Sequence, residues 1–327
     1  MWGEERFEAA EEDNSLIEMA QLENRVENAL NEARILLLGS QVVIGVLLRA
    51  FFEPGFERLA FRGEIALLVA TFVFTAVVGL LVWPAAFHQI AQRGAETSYI
   101  ATFTSTILAW TLLPIAIALG LSLYATALDM HVPYAWIYAV GATVAGLAMW
   151  YAVPSFRHDP ARRERVRQET REQEQENKWQ HKTELPQRIK NVLTECRMAL
   201  PGAQALLGFQ FIDVFFDSFT QLPRSLQWLH FASLLCTMIS TILLIAPAAY
   251  HRIAEGGEDT EHFLKVASRM LLWALIFLAP GMTGDIVVAM YRVTHTVVAG
   301  VVASLVLLAA FYALWFGYSL FERERKA

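Results

Sequence analysis

Apolar positions fall in long blocks separated by short polar connectors. Between residues 35 and 317 the blocks are about 17 to 25 residues long, enough for a helix to cross ~30 Å of hydrocarbon. The pattern predicts eight spans, at 35–52, 65–83, 100–126, 134–153, 198–216, 229–247, 263–283 and 293–317. The first and fifth are the most diluted, by Gly39, Gln41 and Gly45 in one and by Pro201, Gly202, Gln204 and Asp213 in the other. Ahead of the first span, Leu16, Met19, Ala20, Leu22, Val26 and Leu30 recur at three- and four-residue steps, which predicts an amphipathic helix. Its acidic face suits packing beneath a bundle better than lying on headgroups, because interfacial helices are rich in Lys and Arg. The expected fold is all-α, a polytopic membrane helix bundle with cytoplasmic helices.

The pattern occurs twice. Leu22, Arg25, Asn28, Leu30, Glu32, Arg34, Gly39, Gln41 and Gly45 recur 163 positions later as Leu185, Arg188, Asn191, Leu193, Glu195, Arg197, Gly202, Gln204 and Gly208. Further on, Pro84, Ala85, Ala86, His88 and Ile90 return as Pro247, Ala248, Ala249, His251 and Ile253. An internal repeat sets the architecture before any other consideration. The expected organisation is an N-terminal helix over 1–34, a four-span module over 35–153, a charged linker over 154–190, a second four-span module over 191–317 and a tail over 318–327.

Four spans per module give both modules the same orientation, so the repeats are parallel. Of the 26 Lys and Arg residues, 20 fall on the side of the termini and linker. Positive residues are retained in the cytoplasm, so a bacterial inner-membrane protein with cytoplasmic N- and C-termini is expected. The linker from Arg157 to Lys182, dense in Arg, Glu and Gln, reads as a solvated spacer, with a lipid-binding basic patch over Arg162–Arg171 as the sharper alternative. The net charge of −6 gives no argument for nucleic acid. Cys196 and Cys236 have no metal-site spacing and read as small buried residues. A phosphate-cradling glycine loop, a zinc-binding His-Glu-x-x-His and a nucleophile elbow are all missing from the sequence, so an enzyme is disfavoured and no catalytic residue, cofactor or metal is assigned. The bilayer is the expected partner, and a homo-oligomer is left open.

Candidate chemistry sits where polar groups enter the apolar blocks. Glu32, Arg34 and Gln41 recur as Glu195, Arg197 and Gln204, and in the first module Arg34 and Gln41, seven residues apart, share nearly one face of a helix. They read either as a polar path for a proton or small cation, or as interfacial anchors with an amide bonding a neighbouring helix. His88 and His251, each four residues after a proline expected to bend or end its helix, suit a proton relay or a bond to the Glu of a cytoplasmic helix. Asp213, Asp217 and Asp285 have no acidic equivalent in the first module, where Ala50, Pro54 and Ser122 stand. Asp213 is the deepest, and a carboxylate at membrane depth could bind a cation. Arg269 is placed to pair with Asp259 or Glu261 or to snorkel. Pro114, Pro280 and Gly281 are candidates for a broken helix, though out of register with one another.

The segments Glu195-Cys-Arg-Met-Ala-Leu-Pro-Gly-Ala-Gln204 and Ala246-Pro-Ala-Ala-Tyr-His-Arg252 resemble a family of small bacterial four-span integral membrane proteins of unknown function, common in actinobacteria, here in tandem. The first module departs from that pattern at Trp83, Phe87 and Gln89. The resemblance implies membrane location and module boundaries and lends transport a little support. The expected function is movement of a proton or small cation, and the rival is a membrane scaffold that binds a partner through its cytoplasmic helices and linker.

Overall fold

A computed structural model describes residues 2–95, 97–152 and 184–326, so the linker and its basic patch lie almost wholly outside the described residues. The architecture is all-helical. In chain order the helices are α1 (Trp2–Ala50), α2 (Phe61–Ala91), α3 (Ser98–Asp129), α4 (Ala135–Leu147), α5 (Leu185–Asp213), the short α6 (Asp217–Thr220), α7 (Arg224–Ile253), α8 (Glu261–Thr294), α9 (Val297–Tyr312) and α10 (Ser319–Lys326). Thr97 and Thr260, equivalent in the repeat, cap α3 and α8 by accepting from the amides of Ile100 and Phe263, so each module opens its third helix in the same way.

Among the described residues seven stretches are long and apolar enough to cross a membrane: Glu27–Ala50, Phe61–Ala91, Tyr99–Asp129, Ala135–Ala152, Arg224–Ile253, Glu261–Thr294 and Val297–Arg325. That is the composition of a multi-pass membrane protein. The expected fifth span, 198–216, is the exception. It lies mostly in α5, whose Glu195, Arg197, Gln204, Gln210 and Asp213 lower its apolar character. α5 nonetheless runs from one end of the bundle to the other among protein neighbours, and protein contact is what makes such polarity tolerable.

The N-terminal helix runs into the first span without a break, as one helix α1. Two further expectations are corrected. Pro84 and Pro247 end nothing: α2 and α7 run on to Ala91 and Ile253. Pro114 and Pro280 likewise lie inside continuous α3 and α8, so no helix is broken there. Proline is tolerated in long apolar helices when neighbouring helices satisfy the freed backbone groups.

The modules meet along α1 and α5, which run parallel, with Glu27, Gln41 and Gly45 facing Lys190, Gly202 and Phe209 in turn. Glu27 and Lys190, equivalent in the repeat, are 3.3 Å apart. Higher up, Gln41 lies flat on Gly202, where a β-carbon would fall 1.3 Å from the Gln41 amide oxygen. The equivalents of these two, Gln204 and Gly39, are exposed, so the seam is offset from true two-fold symmetry. The most deeply covered helices are α2 and α8. The second module reaches across to clasp α2: Trp315, fully buried, donates its indole N–H to the carbonyl of Gly79 at 2.7 Å. The first module has Ala152 at that position, and α4 packs chiefly on α3.

Candidate functional site

Polar side chains gather in two buried clusters at opposite ends of α5. The near end of the bundle carries the 89–98 and 253–261 connections, and the far end carries the 50–61 and 213–224 connections.

The near cluster joins the modules. The last turn of α2 presents His88 and Gln89 to Glu195 of α5, and both His88 and Glu195 are fully buried. His88 Nδ1 is 2.5 Å from Glu195 Oε1, and His88 Nε2 is 3.0 Å from the carbonyl of Ala95. A backbone carbonyl can only accept, so Nε2 carries a hydrogen and a single further proton lies between Nδ1 and the carboxylate. Gln89 donates to Glu195 Oε2 at 2.6 Å and accepts from the Ser268 hydroxyl at 2.9 Å. Arg188 and Asn191 donate to the carbonyls of Arg93 and Gly94, so α5 side chains and His88 between them hold three consecutive carbonyls of one turn.

The polar groups of the far cluster all belong to the second module. His230 of α7, 1% exposed, sets Nδ1 3.0 Å from Asp285 Oδ1 of α8 and Nε2 3.0 Å from the carbonyl of Gln210 of α5. The Gln210 amide donates to Asp285 Oδ2 at 2.5 Å and to the Gly281 carbonyl at 3.0 Å. The chemistry repeats that of the near cluster: a histidine between a carbonyl and a carboxylate, with a glutamine amide on the second carboxylate oxygen. The same proton inventory therefore applies, with one mobile proton in the His230–Asp285 pair.

Close helix approach makes room for this. A β-carbon on Gly284 would fall 2.0 Å from the Ser233 hydroxyl, and one on Gly281 would fall 2.4 Å from that of Thr237, so small residues let α7 and α8 touch backbone to backbone. The far cluster also holds a second carboxylate. Asp213, 2% exposed, has no hydrogen-bond partner for Oδ1 among the described residues. With His230 and Asp285 it lines a cavity of about 10 Å³, closed by apolar side chains that include Phe51 and Phe52. That is room for about one water molecule.

Of the nine candidates from sequence, the structure brings His88 and Glu195 together and places Asp213 in the far cluster. Gln41 is buried between the clusters, and neither of its amide atoms has a partner among the described residues. Glu32, Arg197 and Gln204 are exposed and Arg34 is half-buried. His251 does not mirror His88: it is half-buried and 3.4 Å from Asp259 at the near end. Asp217 is exposed. Sequence reasoning missed His230 and Gln210. Both stand where the first module has leucine, Leu67 and Leu47, so the filter that picked out Asp213 and Asp285 finds them once it is applied to neutral polar residues. Among the described residues no group of three His, Cys, Asp or Glu side chains is placed to hold a metal.

No curated protein and no solved structure matches the chain. A family model does match, twice, over residues 18–154 and 179–319, one match for each module. Those matches cover most of the sequence, and the chain belongs to the family of unknown function DUF6328, whose unit it carries in tandem.

Proposed function

We propose that this is a multi-pass membrane protein that binds and relays a proton through its second module, with Asp213 as the proton-carrying group and the His230–Asp285 pair as its exchange partner. The observation that carries this is the Asp213 carboxylate, buried with one oxygen that has no partner among the described residues, on a water-sized cavity that it shares with a histidine–carboxylate pair. One water there would link Asp213 to His230 and Asp285, and ionisable groups at membrane depth are functional-site candidates by default, proton relays among them. A proton suits the site better than Ca2+ or Mg2+, which take about six or more oxygen ligands where the cavity holds about one water.

Gln41 supplies an unspent polar group, among the described residues, partway along α5 between the far cluster and the near end. Gly202, on which it lies, is seven residues after Glu195 and eight before Gln210, so about 10 and 12 Å from each along the helix. The apolar closure around Asp213 makes this a gated relay, with a conformational step that wets the cavity, and not an open pore. We take the near end as cytoplasmic on the distribution of Lys and Arg.

A non-conducting scaffold is the alternative. The full pairing of His88 and Glu195 between the modules favours it, since a satisfied buried network specifies an arrangement of helices. Proteoliposomes loaded with a pH-sensitive dye discriminate between the two. Under an imposed potential, wild-type vesicles should acidify faster than protein-free ones and Asp213→Asn vesicles should not; wild-type rates equal to the protein-free leak would overturn the relay.

A further inference from the structure

A cleft of about 540 Å³ opens at the near end between the modules, within the ~300–1,000 Å³ range of small-molecule sites. Its wall carries five cationic side chains, Arg93, Arg188, Lys265, Arg269 and Arg323, against one carboxylate, Glu261. Arg188 is committed to the Arg93 carbonyl and lies 3.7 Å from Glu261. Among the described residues no ion pair engages the other four. Arg269 in particular joins neither Asp259 nor Glu261; it faces this cleft. We propose that the cleft is a binding site for a phosphate-bearing anion, whether a lipid headgroup or a soluble phosphorylated molecule.

Four cations that no ion pair engages among the described residues converge on one concave site and repel one another, and an anionic phosphate group relieves that repulsion. Three of them are arginines, whose planar forks match phosphate oxygens two at a time. The floor is polar and built: Gln89, 7% exposed, and Ser268 line the cleft and are hydrogen-bonded to each other. The Ser268 proton and one Gln89 N–H are already given to Gln89 and Glu195, so the donors left for an anion are the cationic side chains and the second Gln89 N–H.

The repeat gives an independent observation. Lys265 and Arg269 stand where the first module has Thr102 and Thr106, so these charges are not part of the common module plan. Arg93 adopts a left-handed backbone, φ 53°, at the position where the second module has Gly256, φ 63°. A non-glycine residue pays a conformational cost there, and the arginine side chain it retains lines the cleft.

The test uses the full chain in phosphatidylcholine nanodiscs, titrated with inorganic pyrophosphate, and in parallel nanodiscs carrying one-fifth phosphatidylglycerol, with retained lipid read by native mass spectrometry. Binding should weaken with salt. Lys265→Gln with Arg269→Gln should weaken it by about tenfold or more. Glu261→Gln should tighten it, and Arg62→Gln, exposed at the far end, should leave it unchanged. Pyrophosphate binding alone assigns a soluble ligand, phosphatidylglycerol retention alone assigns a lipid, and both together support the shared chemistry. Binding of neither probe, or binding that the Lys265/Arg269 double variant leaves intact, overturns the proposal. The outcome is independent of proton movement at Asp213.

Discussion

The two histidine–carboxylate–glutamine clusters are built from the same three groups in the same geometry, yet they sit in different mechanical settings. At the near end His88 and Gln89 come from the first module and Glu195 from the second, and every polar atom described there for the pair is matched. At the far end all members come from the second module, and an extra carboxylate, Asp213, opens onto a cavity of about 10 Å³. Chemistry alone does not separate a fastener from a proton site. What separates them is whether a group is left with an unsatisfied atom and room for water beside it.

Breaking the near cluster should have the largest effect on stability. Glu195→Ala leaves the His88 and Gln89 donors facing a void, and removing one member of a buried pair costs about 3–5 kcal/mol. A denaturant titration in micelles should show this as a lowered midpoint, and His88→Leu combined with Glu195→Leu should cost less than the two single changes added together. A full additive cost would mean that the two side chains are not a unit.

Next comes the seam between the clusters. Gly202→Ala forces a β-carbon into the Gln41 amide and should destabilise by about 1–3 kcal/mol, the range for overpacking. Gln41→Ala should restore most of that loss in the same titration, because the obstacle is this one side chain.

At the far cluster the expected stability change is smaller. Asp213→Asn should alter the midpoint by no more than about 1 kcal/mol, since Oδ1 has no partner to lose. A loss as large as that of Glu195→Ala would make Asp213 structural and erase the contrast. Smallest of all, Gln204→Ala should fall within about 0.5 kcal/mol of wild type, as an exposed position outside any network.

Much of the architecture was legible in residue patterns because span length and the 163-residue repeat are one-dimensional signals. The all-helical bundle and its tandem organisation follow from them. What they could not carry is the rotation of one helix against another. Gln41 and Gln204 are equivalent in sequence, yet one is buried against glycine and the other is exposed, because α1 and α5 meet off the symmetry axis. The same offset lets His88 find Glu195 while His251 has only Asp259 near it at the surface. Proline misled for a different reason: Pro84 and Pro247 suggest helix ends in water, but inside a bundle their helices continue. The far cluster was half legible, since Asp213 and Asp285 stood out by charge while His230 and Gln210 waited on a comparison of the two copies.

The division of labour between the clusters can be tested in one experiment. Asp213→Asn and Glu195→Gln, reconstituted side by side with wild type and corrected for folded protein, are compared for proton entry under the same imposed potential. Loss of flux in Asp213→Asn with flux retained in Glu195→Gln is the predicted result. Flux that survives in Asp213→Asn, or that disappears only when Glu195 is changed, would contradict the assignment of proton chemistry to the far end.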